Sequence, residues 1–174
     1  MIVVDPEKCT GCLRCEVNCS FFHTGSVSRS RSRVKAVKTE GTGIDFPVVC
    51  CQCKERYCTR CPEAAIEIGP LGQIIVSPTL CTACGTCQRR CPIGAIEIYE
   101  EIPYVCDLCG GKPRCVEQCN MGAIRFESDK TESVRLDRFK KGSRGQSPEQ
   151  KRLGYVLAVT AGLRKRWKLL RREK

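Results

Sequence analysis

Cysteine spacing constrains this chain more than any other feature. Cys9-x2-Cys12-x2-Cys15-x3-Cys19 and Cys81-x2-Cys84-x2-Cys87-x3-Cys91, the latter followed by Pro92, share one set of intervals. Cys50-x2-Cys53-x4-Cys58-x2-Cys61 and Cys106-x2-Cys109-x5-Cys115-x3-Cys119 are variants of it. Three thiolates at such intervals grip the corners of an iron-sulfur cubane, and the fourth ligates the neighbouring cubane. Gly11, Gly85 and Thr86 are small enough to let the backbone approach the sulfides, where N–H donors tune the potential. Zinc takes its four thiolates from two pairs, so groups of three with a remote fourth are wasteful for it. Of 17 Cys, 16 fill the four groups, and Cys51, beside Cys50, reads as a spare thiol. Disulfides suit short secreted chains. Here Asp5 and Glu7 precede any apolar run, so no secretory or twin-Arg signal is visible, and the expectation is a cytoplasmic metal protein. Five Phe, four Tyr and one Trp are too few large side chains for an ordinary core.

A phrase recurs after the last Cys of three groups: Cys61-Pro-Glu-Ala-Ala-Ile-Glu-Ile, Cys91-Pro-Ile-Gly-Ala-Ile-Glu-Ile and Cys119-Asn-Met-Gly-Ala-Ile-Arg-Phe. Each ends in a short alternating strand. The repeated unit is strand, Cys cluster, a short helix, Cys, strand, and copies of so small a unit must pack together to bury a core. Between Cys61 and Cys81, Ala65-Ile-Glu-Ile, a Gly69-Pro-Leu-Gly72 turn and Gln73-Ile-Ile-Val predict a hairpin. The hairpin sets the second and third groups side by side, leaving the first and fourth to pair. Fourth-ligand exchange then predicts four sets: Cys9, Cys12, Cys15 with Cys119; Cys106, Cys109, Cys115 with Cys19; Cys50, Cys53, Cys58 with Cys91; and Cys81, Cys84, Cys87 with Cys61. The expected fold is α+β: two fused bacterial-ferredoxin-like modules, built of short antiparallel hairpins and short helices around four 4Fe-4S clusters, plus a C-terminal helix.

Charge divides the chain differently. Residues 1–127 carry a net +1 and every Cys, whereas residues 128–174 carry +10 and no Cys. The division predicts a four-cluster domain over 1–127, a basic linker over 128–146 and a basic amphipathic helix over 147–174. Ser147-Pro148-Glu149-Gln150 offers a capping box with Pro at the first helical position. Val156, Val159, Leu163, Trp167 and Leu170 follow as one apolar stripe. Such a helix suits a protein groove, an anionic membrane surface or nucleic acid. Four cubanes, each netting roughly −2 with its thiolates, bring the body to about −7. That dipole favours docking on an acidic partner, or head-to-tail self-association. His23, the single His, reads as structural or surface, and Arg29, Arg31 and Arg33 as a solvated loop. No Gly-rich phosphate loop, Ser/His/Asp set or zinc-protease motif occurs, so no site for a bond-making reaction is recognisable.

Four Cys groups in this order resemble the four-cluster ferredoxin-like electron-transfer subunits of molybdenum and tungsten oxidoreductases, some hydrogenases and carbon monoxide dehydrogenase. The Cys19-Ser-Phe-Phe-His23-Thr-Gly stretch, Ser30-Arg-Ser-Arg33 and the short length look most like the small iron-sulfur subunit beside a tungsten-dependent aldehyde oxidoreductase. The resemblance covers residues 1–127. It implies a non-catalytic subunit passing electrons between a tungsten or molybdenum catalytic subunit and a flavin subunit or soluble ferredoxin. Two other roles are open to a chain of this kind, a membrane-peripheral adaptor of a hydrogenase or carbon monoxide dehydrogenase complex, and an iron-sulfur regulator; nucleic acid is not an expected partner. The sequence departs from the family where two residues, not three, separate Cys58 from Cys61. It departs again where Ser20 and Asn120 replace the Pro that follows the last Cys.

Overall fold

The computed structural model describes residues 1–39, 41–127 and 135–172. Short strands dominate because each repeat allots only three or four residues to a strand before the next cysteine loop. Among the described residues, eight strands form four separate two-stranded antiparallel sheets. β1 (Ile2–Val4) pairs with β8 (Ile124–Phe126), Ile2 opposite Phe126. This closes the body on itself and brings the first and fourth cysteine groups together. β4 (Ile66–Ile68) and β5 (Ile74–Val76) form the hairpin expected there, turning through Gly69–Gly72.

Two further hairpins were not among the expected ones: the first has Gly41 and Gly43, both with positive φ, in its turn, and the second has no turn residue of the usual kind. β2 (Val34–Thr39) and β3 (Ile44–Val49) are the longest strands, paired over six positions. β6 (Glu97–Tyr99) and β7 (Ile102–Tyr104) are joined by Glu100 and Glu101, both with positive φ. Asn-Gly is the usual choice for such a turn; here an ion pair from Arg31 to Glu100 at 2.8 Å holds it.

Helices fill the gaps between cysteines. α1 (Arg14–Thr24) ends at Gly25, whose positive φ and N–H to Phe21 O cap it. α2 (Thr86–Arg90) and α3 (Arg114–Glu117) are single turns. The core has two parts. Val48, Ile74, Ile93, Ile96 and Val156 surround Cys51, Cys58 and Cys91. Ile2, Val34, Leu108 and Ile124 surround Cys19, Cys106 and Cys115. Thiols thus occupy the centre that aromatic side chains fill elsewhere.

The C-terminal region differs from the expected linker and single helix. Residues 128–134 lie outside the described residues, but Leu136 is fully buried in the core and α4 (Asp137–Lys140) follows it. Tyr57 Oη donates to Asp137 at 2.5 Å, joining α4 to the cysteine body. The capping box at Ser147 forms as expected and starts α5 (Pro148–Val159). Thr160 interrupts the helix, its hydroxyl turned back to Val156 O at 2.7 Å, before α6 (Ala161–Arg172). The interruption fits the residue, since a Thr hydroxyl competes for helix carbonyls. Val156 is 0% exposed and Leu163 is buried, so much of the stripe faces this chain's own body; the Leu170 side chain lies outside the described residues. Among the described residues no helix is long and apolar enough to cross a membrane.

Candidate iron-sulfur centres

Each centre begins with a left-handed residue directly before the second cysteine of its group: Gly11, Gln52, Ala83 and Leu108, with φ of 64, 46, 53 and 59°. This conformation curls the loop so that backbone N–H groups point inward. Gly11 N–H reaches the Cys9 thiol, Gln52 N–H that of Cys50, and Leu108 N–H that of Cys106. Only Gly11 advertises the conformation in its residue type. Its hydrogen is needed twice over, since a Cβ there would lie 2.1 Å from Asp45 Oδ2.

The cysteines converge in sets. Cys9, Cys12, Cys15 and Cys119 line one cavity of about 200 Å³. Cys61, Cys81, Cys84 and Cys87 line a second, and Cys50, Cys51, Cys53, Cys58 and Cys91 a third. Cys19, Cys106 and Cys109 all lie near Cys115, whose thiol is pushed up by burial and then by these neighbours. Burial likewise pushes Cys58 and Cys106 up to about 12, with Cys91 and Cys53 adding for the first and Cys19 and Cys109 for the second, against the Leu108 N–H. Four soft sulfur donors per set, mostly shielded from water, fit a cubane, whose binding discharges thiol protons.

The shortened interval before Cys61 has a local explanation. Tyr57–Thr59 winds as a 3-10 turn, where α1, α2 and α3 are α-helical. A 3-10 turn rises about 2.0 Å per residue against 1.5 Å, recovering most of the reach lost with one residue. Cys61 accordingly joins the cavity of Cys81, Cys84 and Cys87. Cys51 is buried in the same cavity as Cys53 and Cys91. Cys50, however, holds the place that Cys9 and Cys106 hold, accepting the N–H two residues on.

Cysteine sulfurs also receive donors from outside their loops. Arg33 N–H donates to Cys19 Sγ at 3.3 Å and Ala95 N–H to Cys91 Sγ at 3.3 Å. His23 stands against a cysteine and not at the surface: Nε2 lies 3.4 Å from Cys109 Sγ, and the side chain is 9% exposed. Burial, with Arg33 adding, lowers the His23 pKa against the pull of Asp107. Asp107 accepts from Cys109 N–H at 3.0 Å and pairs with Arg33 Nη1 at 2.5 Å. Burial works to raise the Asp107 carboxyl, but Arg33, Cys109 N–H and His23 together hold it below its usual value. The sequence carried one signal for this contact, the four-residue step from Cys19 to His23. Arg29 and Arg31 are likewise engaged, Arg29 with Glu16 at 2.8 Å and Arg31 with Glu100.

Repeated strand pairs around sets of four thiols define an iron-sulfur electron carrier of the ferredoxin type. The 4Fe-4S binding domain matches residues 74–97 and, in a second form, residues 1–23. The polyferredoxin-like subunit of an aliphatic sulfonate oxidoreductase from Pyrococcus furiosus is 37% identical, over 68% of this chain and 70% of that one. An uncharacterised ferredoxin of Methanocaldococcus jannaschii is 37% identical, over 83% of this chain and 87% of its own. Among solved structures, a chain of the BamBC active-site complex of benzoyl-coenzyme A reductase is 29% identical, over 72% of this chain and 74% of that one, with a TM-score of 0.43. The chain belongs to the polyferredoxin-like family of 4Fe-4S electron-transfer proteins, and 4Fe-4S clusters are its cofactors.

Proposed function

We propose that the chain is a relay subunit holding one cluster in each of the four predicted thiol sets, arranged in a row. The carrying observation is the proximity of thiols from different sets. Cys115 neighbours Cys15, Cys50 neighbours Cys106, and Cys58 neighbours Cys87. These junctions support the order first, fourth, second, third. Each bound cubane accepts and releases one electron. The protein's part is to space the sets, exclude water from the middle and leave the ends open. Cys19, Cys106, Cys115, Cys58 and Cys91 are buried in the middle sets, while Cys12 and Cys84 are exposed at the two ends.

The two ends present different charged groups directly beside their thiols. Asp45 stands beside Cys9 at one end. Arg89 binds Cys84 O at 2.9 Å and Thr86 Oγ1 at 3.1 Å at the other. Catalysis belongs to a partner: a tungsten or molybdenum oxidoreductase subunit of the aldehyde oxidoreductase type, with a flavin subunit or ferredoxin at the opposite end. The Cys19–Gly25 stretch and the relative named as an oxidoreductase subunit support this assignment.

Anaerobic purification with metal analysis tests both parts. The chain alone should hold about 16 Fe and 16 sulfide, the content of four cubanes, and the copurifying catalytic subunit should contain tungsten or molybdenum. Nickel in the partner would redirect the assignment to a hydrogenase or carbon monoxide dehydrogenase, and zinc in the chain would end the cluster reading.

A further inference from the structure

We propose that His23 donates a hydrogen bond from Nε2–H to the Cys109 sulfur and thereby raises the reduction potential of the cluster held by Cys19, Cys106, Cys109 and Cys115. The inference rests on the four-set reading above and assigns a role to a residue which that reading does not use. α1 supplies both Cys19 and, one turn later, His23, and residues four apart share a helix face. The same face therefore delivers a sulfur ligand and a ring donor to one centre.

Two acceptors compete for the ring proton. Cys109 Sγ lies at 3.4 Å, an ordinary separation for a sulfur acceptor, and Asp107 Oδ1 at 3.6 Å, too long for a hydrogen bond to oxygen. Asp107 Oδ1 is already engaged by Cys109 N–H, and its other oxygen by Arg33. The sulfur is thus the acceptor, with Asp107 fixing the loop that presents it. The ring is held from outside as well. Phe22 meets it edge-on at 4.9 Å between centroids, and the Arg114 guanidinium covers Phe22 at 4.9 Å. A donor kept in place on both sides is the arrangement by which outer groups tune a metal centre.

The sign follows from charge. Reduction adds one negative charge to the cluster and its thiolates, so a donor aimed at a ligand sulfur stabilises the reduced state more than the oxidised one. Removing the donor lowers the potential.

Because the chain has one His, histidine labelled with nitrogen-15 reports on this ring alone. Electron spin-echo spectroscopy of the reduced, unaltered protein should show a weak nitrogen-15 coupling, of the size of an outer hydrogen bond, in one cluster signal. Redox titration of His23→Leu should show one cluster with its reduction equilibrium weakened roughly tenfold, about 59 mV for one electron, and the others unmoved. His23→Gln, whose amide can donate, should recover much of the shift. Four clusters in the unaltered chain with neither coupling nor shift would overturn the proposal. So would a coupling of the size of a direct iron–nitrogen bond, or loss of about four Fe in both variants, which would make His23 a ligand or a fold element. Iron below four clusters in the unaltered chain would overturn the four-set reading first, and this inference with it.

Discussion

At the residue scale, the left-handed position before each second cysteine is occupied by four different residue types, and the cost differs among them. Gly11 tolerates φ 64° freely, and Asp45 fills the space where a Cβ would go. Gly11→Ala should destabilise the loaded protein by about 1–2 kcal/mol from the backbone alone, plus the displacement of Asp45, so pairing it with Asp45→Ser should restore only the steric part. Ala83 holds φ 53° with a methyl group. Ala83→Gly should relieve about 1–2 kcal/mol of strain and lose about 0.4–1 kcal/mol to the freer unfolded chain, for a net gain. Thermal unfolding under anaerobic conditions measures both. The adjacent pair Cys50 and Cys51 gives a sharper contrast. Cys51→Ser should retain about 16 Fe and Cys50→Ser should lose about four; the reverse pattern would move the ligand register by one residue.

Elements are joined by buried polar groups where apolar ones are scarce. Glu16 of α1, 1% exposed, accepts from Ala36 N–H of β2 at 2.6 Å and from Arg29 Nε at 2.8 Å. Glu16→Ala leaves a strand donor unpaired, and should cost about 1–3 kcal/mol; Glu16→Gln, which can still accept, should cost less. The tail elements bind the body in the same manner. Lys151 of α5 donates to Gln88 O and Arg89 O at 3.3 and 2.8 Å, and Arg152 to Gly94 O at 3.0 Å. A separable linker and helix would be removable with little loss of iron. Because Leu136 and Val156 pack in the core part that holds Cys51, Cys58 and Cys91, ending the chain at Glu127 should instead release about four Fe from the second set. Ending it at Thr160, which removes α6 alone, should release less. Iron content of the two truncations decides.

On the scale of the whole molecule, the sulfur-rich centre makes cofactor and fold one problem. Cys19, Cys106 and Cys115 sit in one part of the core, Cys51, Cys58 and Cys91 in the other. Stripping iron with a chelator leaves close-set buried thiols in place of a filled centre. Loss of far-UV signal from the body and rapid proteolysis are the expected outcome, whereas an apoprotein that keeps its near-UV spectrum would show that the strands hold without the clusters. Charge acts over the same range. Among the described residues, the basic tail meets a body that the clusters make more negative through pairs such as Arg152 with Glu97 and Arg166 with Glu7. These two pairs engage part of the attraction on which head-to-tail association was expected to draw.

The sequence alone determined the cofactor class, the β4–β5 hairpin and the start of α5. Each is decided within about a dozen residues, by thiol spacing, by a Gly-Pro-Leu-Gly turn and by a capping box, where local geometry suffices. Tertiary structure decided the rest. A Glu-Glu turn between β6 and β7, Thr160 dividing the tail into two helices, α5 covering the core and His23 at Cys109 depend on groups distant in sequence. Glu100 needs Arg31, and His23 needs a loop 86 residues away. No local pattern encodes such pairs, because their energy exists only once β1 has closed on β8 and the cysteine loops have been brought to one centre.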